Sequence, residues 1–552
     1  MLLSLNGFTQ NLGLKAYGKS DSETSTIKNL NYTAFHKNYK SVKLEVDSIQ
    51  NALLKMGYIE NELKFIKKIN DSTVESLIHL KNKIDTIYIY HDKNEINTSK
   101  INQVSKIIND TCFAVKVSNL ENTLNYLNAE ISKKGFPFSN LKLSNIKKRD
   151  SISLKAFLKL NTSKQKRTID HIIIKGYQKF PKAYLKHFLK IKPCQTFDLN
   201  HIKLKTEQLN NMNFARETKS PEVLFTKDST SLYLYIEKTQ SNTFDGFIGF
   251  GTNEDTNKLE FDGYLNLTLI NNLNFGEAFR VLYKSDENDQ RTFETNLTLP
   301  YLFNTPIGVE LMLRLFKKDS SFTTANQSAK LHYQINSKNK ALVGITSTES
   351  NNLRSENTAS LVSDYTTFNY TLGYEFNSSR TLNLLFPFNS KLYTNIGFGK
   401  RKTSNAHENQ TLASLDGFKI FNLNHKNSLY IRTYGEALIS NNYYENELLR
   451  FGGINSIRGF EENSLYASLF GLINSEYRFQ LSNTIYIHSI IDAAYFENKT
   501  TDTHEKLYGF GFGFGLLTKT GLFKLNYALG KTENENAKLS NSKIHLSFIA
   551  NF

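Results

Sequence analysis

The chain has 552 residues, 39% of them apolar and 22% charged, with a formal charge of +16 at neutral pH. That length exceeds one ordinary domain, and no segment approaches the roughly 18 consecutive apolar residues of a transmembrane helix. A transmembrane barrel is not excluded, because its strands alternate lipid-facing with lumen-facing residues and average to a soluble-looking hydropathy.

The 40 Phe and 29 Tyr, with no Trp, are residues that cover barrel exteriors and mark interfacial girdles. The positive charge suits lipid headgroup phosphates or acidic chain segments, although a generally Lys-rich composition gives the same sum. No compact basic motif points to nucleic acid. Cys112 and Cys194 fall in different modules, which argues against a disulfide framework and against a Cys-based metal site.

Residues 1–24 read as an N-terminal arm or a signal-peptide remnant: Met1-Leu2-Leu3-Ser4-Leu5 resembles the tail of an apolar h-region, without its basic n-region. From there to about residue 240 one order recurs: helix, Gly-aromatic, strand, turn, strand. Residues 25–82 hold an incomplete copy, with a helix over Val46–Lys55, the exit Gly57-Tyr58, and strands over Leu63–Ile69 and Thr73–Leu80. Residues 83–166 hold a second copy. Its opening strand is Thr86–His91, its second helix Leu120–Lys134, its exit Gly135-Phe136, and its hairpin Leu141–Ile146 with Ser151–Leu160.

The clearest copy is 167–240. It opens with a strand over Thr168–Lys175 and the turn Gly176-Tyr177. A short helix over Pro181–Lys190 begins with Pro near its first turn, and Asp198 can cap a second helix through Asn211. Strands over Glu222–Thr226 and Ser231–Glu237 complete a β-α-α-β-β unit.

Residues 241–552 alternate with period two through sixteen candidate strands, an even number usual for bacterial barrels. Ile307, Val309, Leu311, Leu313 and Leu315 share one face, with Glu310 and Arg314 on the other. A lipid-embedded sheet must close, because hydrocarbon leaves an open edge unsatisfied. The first strand, Phe244–Gly251, carries Gly246, Gly249 and Gly251. It closes against Ser542–Phe552, whose Ile544, Leu546, Phe548, Ala550 and Phe552 share a face. Glycine weakens this pairing, so the seam is either the point where an edge opens for strand addition or an ordinary closure.

Between the eleventh and twelfth strands lies a break containing Phe451-Gly452-Gly453-Ile454-Asn455-Ser456-Ile457-Arg458-Gly459-Phe460. A glycine-rich break with one Arg among apolar neighbours reads as a loop folded back into the lumen. In the next strands, Glu476 and Asp492 fall on the inward face, so either can pair with the Arg458 guanidinium, a planar and permanently charged fork. Tyr508–Leu517 alternates aromatics with Gly509, Gly511, Gly513 and Gly515, leaving a bare inner wall on which an inserted loop can rest; a bend in the barrel has the same requirement. No nucleophile elbow, phosphate loop or metal-ligand spacing occurs, so no enzymatic activity and no cofactor are expected.

These residues resemble the BamA/TamA superfamily of outer-membrane assembly and translocation proteins. Ile457-Arg458-Gly459-Phe460 is similar to its V-R-G-[FY] loop motif, Asn474–Phe479 to its acidic strand, and Ile491-Asp492-Ala493-Ala494 to its inward-Asp strand. Gly521–Gly530 looks like its penultimate strand, with Leu522 and Lys524 where Pro and Arg are usual. The N-terminal repeats resemble polypeptide-transport-associated (POTRA) domains.

The resemblance implies α+β periplasmic repeats followed by an all-β, 16-stranded antiparallel barrel in a bacterial outer membrane. The repeats would receive client outer-membrane or secreted polypeptides, with a periplasmic or inner-membrane partner, and the barrel would insert or export them. Three modules favour a TamA-like role. A two-partner-secretion transporter and a passive outer-membrane channel are the alternatives.

Overall fold

The computed structural model describes the chain apart from residues 1–10, 94–95, 163–164, 253–258, 286–289, 355–360, 380–382, 384 and 535–541, with side chains described outside 247–263 and 551. Two compact units form: Met1–Ile169 with Cys194–Leu199 and Asp228–Thr230, and Asp170–Pro193 with Asn200–Lys227 and Ser231–Phe552.

The first unit contains two modules. In the first, Leu12–Tyr17 runs parallel to Thr73–His79, with Phe35–His36 on one side of that pair and Glu62–Asn70 on the other. Two helices cover the sheet, Asp21–Lys28 and Tyr39–Met56. The longer one starts at a capping box in which Asn38 accepts from the Ser41 N–H at 2.9 Å, and it buries Val42, Val46, Ile49 and Leu53 on one face. This corrects the sequence reading in two ways. Residues 12–24 are not an arm, and the copy assigned to 25–82 is complete once they are included. The stretch taken as a signal-peptide remnant, 1–10, lies outside the described residues.

The second module is a five-stranded sheet centred on Thr86–Tyr90, which runs parallel to Ser153–Asn161. Asn140–Lys148 lies outside the latter. On the other edge sits a hairpin, Lys106–Asn109 with Cys112–Lys116, preceded by a one-turn helix, Thr98–Ile101. This module therefore departs from β-α-α-β-β: the hairpin stands where a first full helix was expected. The second helix, Leu120–Ser132, is present.

The Gly-aromatic exits now have a physical reason. Gly57 caps its helix at φ of 105°, and Gly135, three residues past the end of its helix, takes 94°, both in the left-handed region that favours glycine. Their carbonyls then accept from the following segment: the Ile84 N–H bonds Gly57 O, and the Arg167 N–H bonds Gly135 O, each at 2.8 Å.

Most of the third module (171–193, 200–227 and 231–238) packs with the barrel as one compact unit, so the boundary at 240 is not a break in packing. His171–Gly176 runs parallel to Thr230–Lys238, with Ala215–Phe225 beyond it. The Pro181 segment forms a wide turn in which the Leu189 N–H donates to the Tyr184 carbonyl five residues back, at 3.0 Å. Tyr177 donates to Asn274 Oδ1 at 2.6 Å and accepts from Asn271 Nδ2 at 2.8 Å, and the Tyr184 hydroxyl bonds Gly276 O at 3.2 Å. This module thus seats on the turn after the second barrel strand, and that end of the barrel is called the near rim.

The barrel has sixteen antiparallel strands, from Thr243–Thr252 to Ser542–Asn551, each paired with the next and the last with the first. Leu311, Val343, Leu372, Ile396, Ile473, Ile491, Phe512 and Leu546 are exposed on its outside, while Asn369, Thr371, Gln410, Asn474 and His488 are buried within. An apolar exterior around a polar interior is what a bilayer demands of a barrel.

Candidate functional site

The segment Ser440–Ser468 joins the eleventh strand, Asn427–Ile439, to the twelfth, Leu469–Gln480, at the rim away from the third module. It folds inward as a small hairpin, with Leu449–Phe451 against Leu465–Ala467. An apolar cluster receives it: Phe451 stacks on Phe470 at 4.5 Å with rings 10° apart, and Ile457 is fully buried among Ala467, Leu472, Ala494 and Leu507.

Positive φ at Gly452, Gly453 and Gly459 gives the tip its tight reversals. The tip then satisfies its own polar groups. Gly452 N–H donates to Ser456 Oγ at 2.7 Å, Arg432 Nη1 donates to Asn455 O at 2.6 Å, and Asn474 Nδ2 donates to Ser456 O at 2.8 Å.

Arg458 lies at the centre and is 5% exposed. Its Nε and Nη2 donate to the two carboxylate oxygens of Asp492 at 2.8 and 2.6 Å, and its backbone N–H donates to Asp492 Oδ2 at 3.0 Å. Its Nη1 donates to Glu476 at 2.5 Å. Glu476 also accepts from Arg478 Nε and Nη2 at 2.8 and 2.7 Å. Both inward acids expected from the strand parity therefore hold the same guanidinium. Asp492 lies on the thirteenth strand, Ile485–Asn498, and Glu476 on the twelfth.

Of the four glycines expected to leave a bare wall, only Gly509 meets the loop; a Cβ on Gly511, Gly513 or Gly515 would instead meet Tyr527, Asn526 or Tyr486 of the wall itself. A Cβ on Gly509, in the fourteenth strand Thr503–Leu517, would lie 2.4 Å from the Arg458 carbonyl oxygen. One on Gly530, in the fifteenth strand Gly521–Thr532, would lie 2.5 Å from the Gly459 carbonyl oxygen. The loop backbone thus rests directly on two bare positions of the barrel wall, and Phe460 reaches Gly530 as well.

Three further arginines went unnoticed in the sequence. Arg432 forms a bidentate pair with Asp416 at 2.8 and 3.0 Å while holding the loop tip. Arg450 lies over the rings of Phe316, Phe322 and Tyr466 at 4.4, 5.3 and 4.6 Å. Arg401, 1% exposed, donates to Glu408 at 2.5 Å, to Asn442 O at 3.1 Å and to Glu447. Arg401 and Arg432 alternate inward like many other charged strand residues, and Arg450 lies in the loop hairpin Leu449–Phe451. A signal did exist for Arg432, which shares its inward face with Asp416 on the adjoining strand.

At the seam, the ladder among the described residues consists of Thr243 with Asn551 and Phe244 with Ala550. By contrast, the first strand pairs with the second along its whole length, from Thr243 with Thr268 to Thr252 with Leu259. Among the described residues, Gly246, Gly249 and Gly251 have ladder partners on that side alone. Phe548 pairs with Phe523 on the side away from the seam, and the Phe552 N–H donates to Asn242 O at 3.0 Å.

A closed sixteen-stranded barrel, α/β modules ahead of it in the chain, and a loop braced inside by Arg458 give this protein a fold that solved BamA and CdiB structures share. No family model matches the sequence, and no curated protein matches it. Among solved structures, CdiB from Escherichia coli superposes with a TM-score of 0.52 at 13% identity, covering 93% of this chain and 97% of that one. CdiB from Acinetobacter baumannii gives 0.51 at 16%, covering 80% and 83%. BamA from Haemophilus ducreyi lacking POTRA domains 1–3 gives 0.50 at 13%, covering 85% and 100%. At these identities the likeness is one of fold.

Proposed function

We propose that the chain is a bacterial outer-membrane factor whose POTRA-like modules receive client polypeptides in the periplasm and whose barrel inserts them through its seam, without covalent chemistry. The observation that carries this reading is the seam itself. Among the described residues, Asp245–Thr252 and Ser542–Ile549 have no ladder pairing with each other beyond the two pairs at Thr243 and Phe244. A hydrogen bond contributes roughly 0.5–1.5 kcal/mol net, so a contact of two residue pairs resists opening by only a few kcal/mol. The exposed N–H and C=O groups of such an edge template another strand. The arginine-held loop stiffens the twelfth to fifteenth strands, which leaves the seam as the weak line of the wall.

A second reading, export of a client through the lumen, is favoured by a polar cavity of about 540 Å³ lined by Asn326, Thr346, Thr371, Asn395 and Gln410. One experiment separates the two. Phe244→Cys with Ala550→Cys, cross-linked at the one directly paired part of the seam, is expected to abolish client insertion in proteoliposomes while the barrel stays folded. Full insertion by the locked barrel refutes the seam reading, and intact export from it supports the lumen.

A further inference from the structure

The turn between the eighth strand, Tyr365–Ser379, and the ninth, Phe388–Lys402, lies on the near rim, yet it carries two large apolar side chains that are hidden from water. Leu385 and Phe386 are 4% and 7% exposed. They cluster with Ile420 of the tenth strand, His407–Asn422, and with Tyr486 of the thirteenth, bordered by Phe418, Tyr430, Leu517 and Leu522. The Phe386 ring meets the Tyr486 ring edge-on, with centroids 4.8 Å apart. The pair therefore reaches across the lumen mouth from the ninth strand to the thirteenth.

The recess they fill has a definite chemistry. Ile420 supplies an aliphatic wall, Tyr430 and Tyr486 supply rings, and Arg478 presents its guanidinium to both Tyr430, at 4.0 Å, and Phe386, at 4.9 Å. The same Arg478 bonds Glu476, which also holds Arg458. Among the described residues of this turn, Phe386 N–H donates to Asn383 Oδ1 at 2.9 Å, and Pro387 is exposed while Leu385 and Phe386 are buried. A solvated turn needs no such residues.

We propose that this recess is a docking site for a client segment carrying adjacent aliphatic and aromatic residues, filled in cis by Leu385 and Phe386 until a client displaces them. The inference rests on the client-handling reading and adds to it the chemistry of the segment recognised. A tethered occupant competes at an effective concentration on the order of mM, so an added peptide binds the wild-type chain weakly and binds strongly once the tethered pair is removed.

The test uses the full chain in nanodiscs and a fluorescein-labelled Ser-Asn-Leu-Phe-Pro-Ser peptide, read by anisotropy. Leu385→Ser with Phe386→Ser is expected to tighten binding at least tenfold over wild type. Adding Tyr486→Ser is expected to remove the gain, and a peptide with Ser-Ser in place of Leu-Phe is expected not to bind. Phe386→Ala alone, a milder change, is expected to tighten binding at least threefold and serves if the double variant does not fold. Equal binding by wild type and the emptied variants, or binding by neither, overturns the proposal. The assay involves no insertion, so its failure leaves the seam reading standing, and a failed seam cross-link leaves this result untouched.

Discussion

Gly509→Ala puts a single methyl group between the inserted loop and the wall. The new Cβ would sit 2.4 Å from the Arg458 carbonyl oxygen, about 1 Å short of the 3.4 Å at which ordinary contact begins. Gly509 is paired with Asp492 across the sheet, so the clash falls beside the loop's anchor. Moving the Arg458 backbone by that much takes its N–H, now 3.0 Å from Asp492, out of hydrogen-bond range. Overpacking costs about 1–3 kcal/mol, and a lost hydrogen bond to a charged group about 1.5–3 kcal/mol. The guanidinium can still follow by rotamer adjustment. A loss of roughly 2.5–5 kcal/mol is therefore expected, its upper end bounded by the roughly 3–5 kcal/mol of removing one partner from a buried ion pair.

The assay is heat-modifiable mobility of the folded barrel, together with protease cleavage within Gly452–Ser464. Gly471→Ala is the control, because a Cβ there meets nothing within 4 Å, and a change within about 0.5 kcal/mol is expected. Combining Gly509→Ala with Arg458→Ala should cost less than the sum, since either change already frees the loop. If Gly509→Ala behaves like Gly471→Ala, with the loop equally protected, the loop does not rest on this wall and the reasoning fails.

Two further outcomes follow from the geometry. Arg458→Lys keeps the charge but loses the fork that spans both Asp492 oxygens and reaches Glu476; loop protection is expected to fall by about 2–3 kcal/mol, and retention of full protection would show that charge alone suffices. In the third module, burial holds the Glu217 carboxyl above its usual range, although the Thr206 hydroxyl donates to it at 2.8 Å. A raised folded pKa means that this stabilising contribution is present below the unfolded value of 4.5 and is lost as pH rises through the folded value. Hydrogen exchange in Ala215–Phe225, corrected for intrinsic rates, is expected to slow as pH falls from 7 towards 4.5. Glu217→Gln should flatten that response, and an unchanged slope would rule the carboxyl out.

Strand parity made the centre of the site legible before any coordinates. Once Leu469, Ile473 and Tyr477 face outward, Glu476 must face inward, and the same logic places Asp492 inside. The Gly-aromatic exits were equally visible, because a left-handed helix end announces itself by its glycine. The opening strand of the first module escaped notice for a local reason. Leu12, Leu14 and Ala16 make a weak alternating signal, and only pairing with Thr73–His79 makes them a strand. The second module's hairpin was hidden by the assumption of a repeat, although Asn109-Asp110-Thr111 between Ile-rich and Val-containing runs was a turn signal.

By itself the sequence determined which side chains face lipid and which face the lumen, because backbone geometry enforces the period of two residue by residue. It also determined that a glycine-rich segment would interrupt the strands and that Arg458 would have acids within parity. Only the tertiary structure decided that both acids converge on one guanidinium, and that Gly509 and Gly530 bear the loop backbone. It alone decided that the seam closes through two residue pairs and that Leu385 and Phe386 cross the mouth. Those features depend on distances between segments far apart in the chain, which are set by how the sheet curves and closes rather than by any local preference.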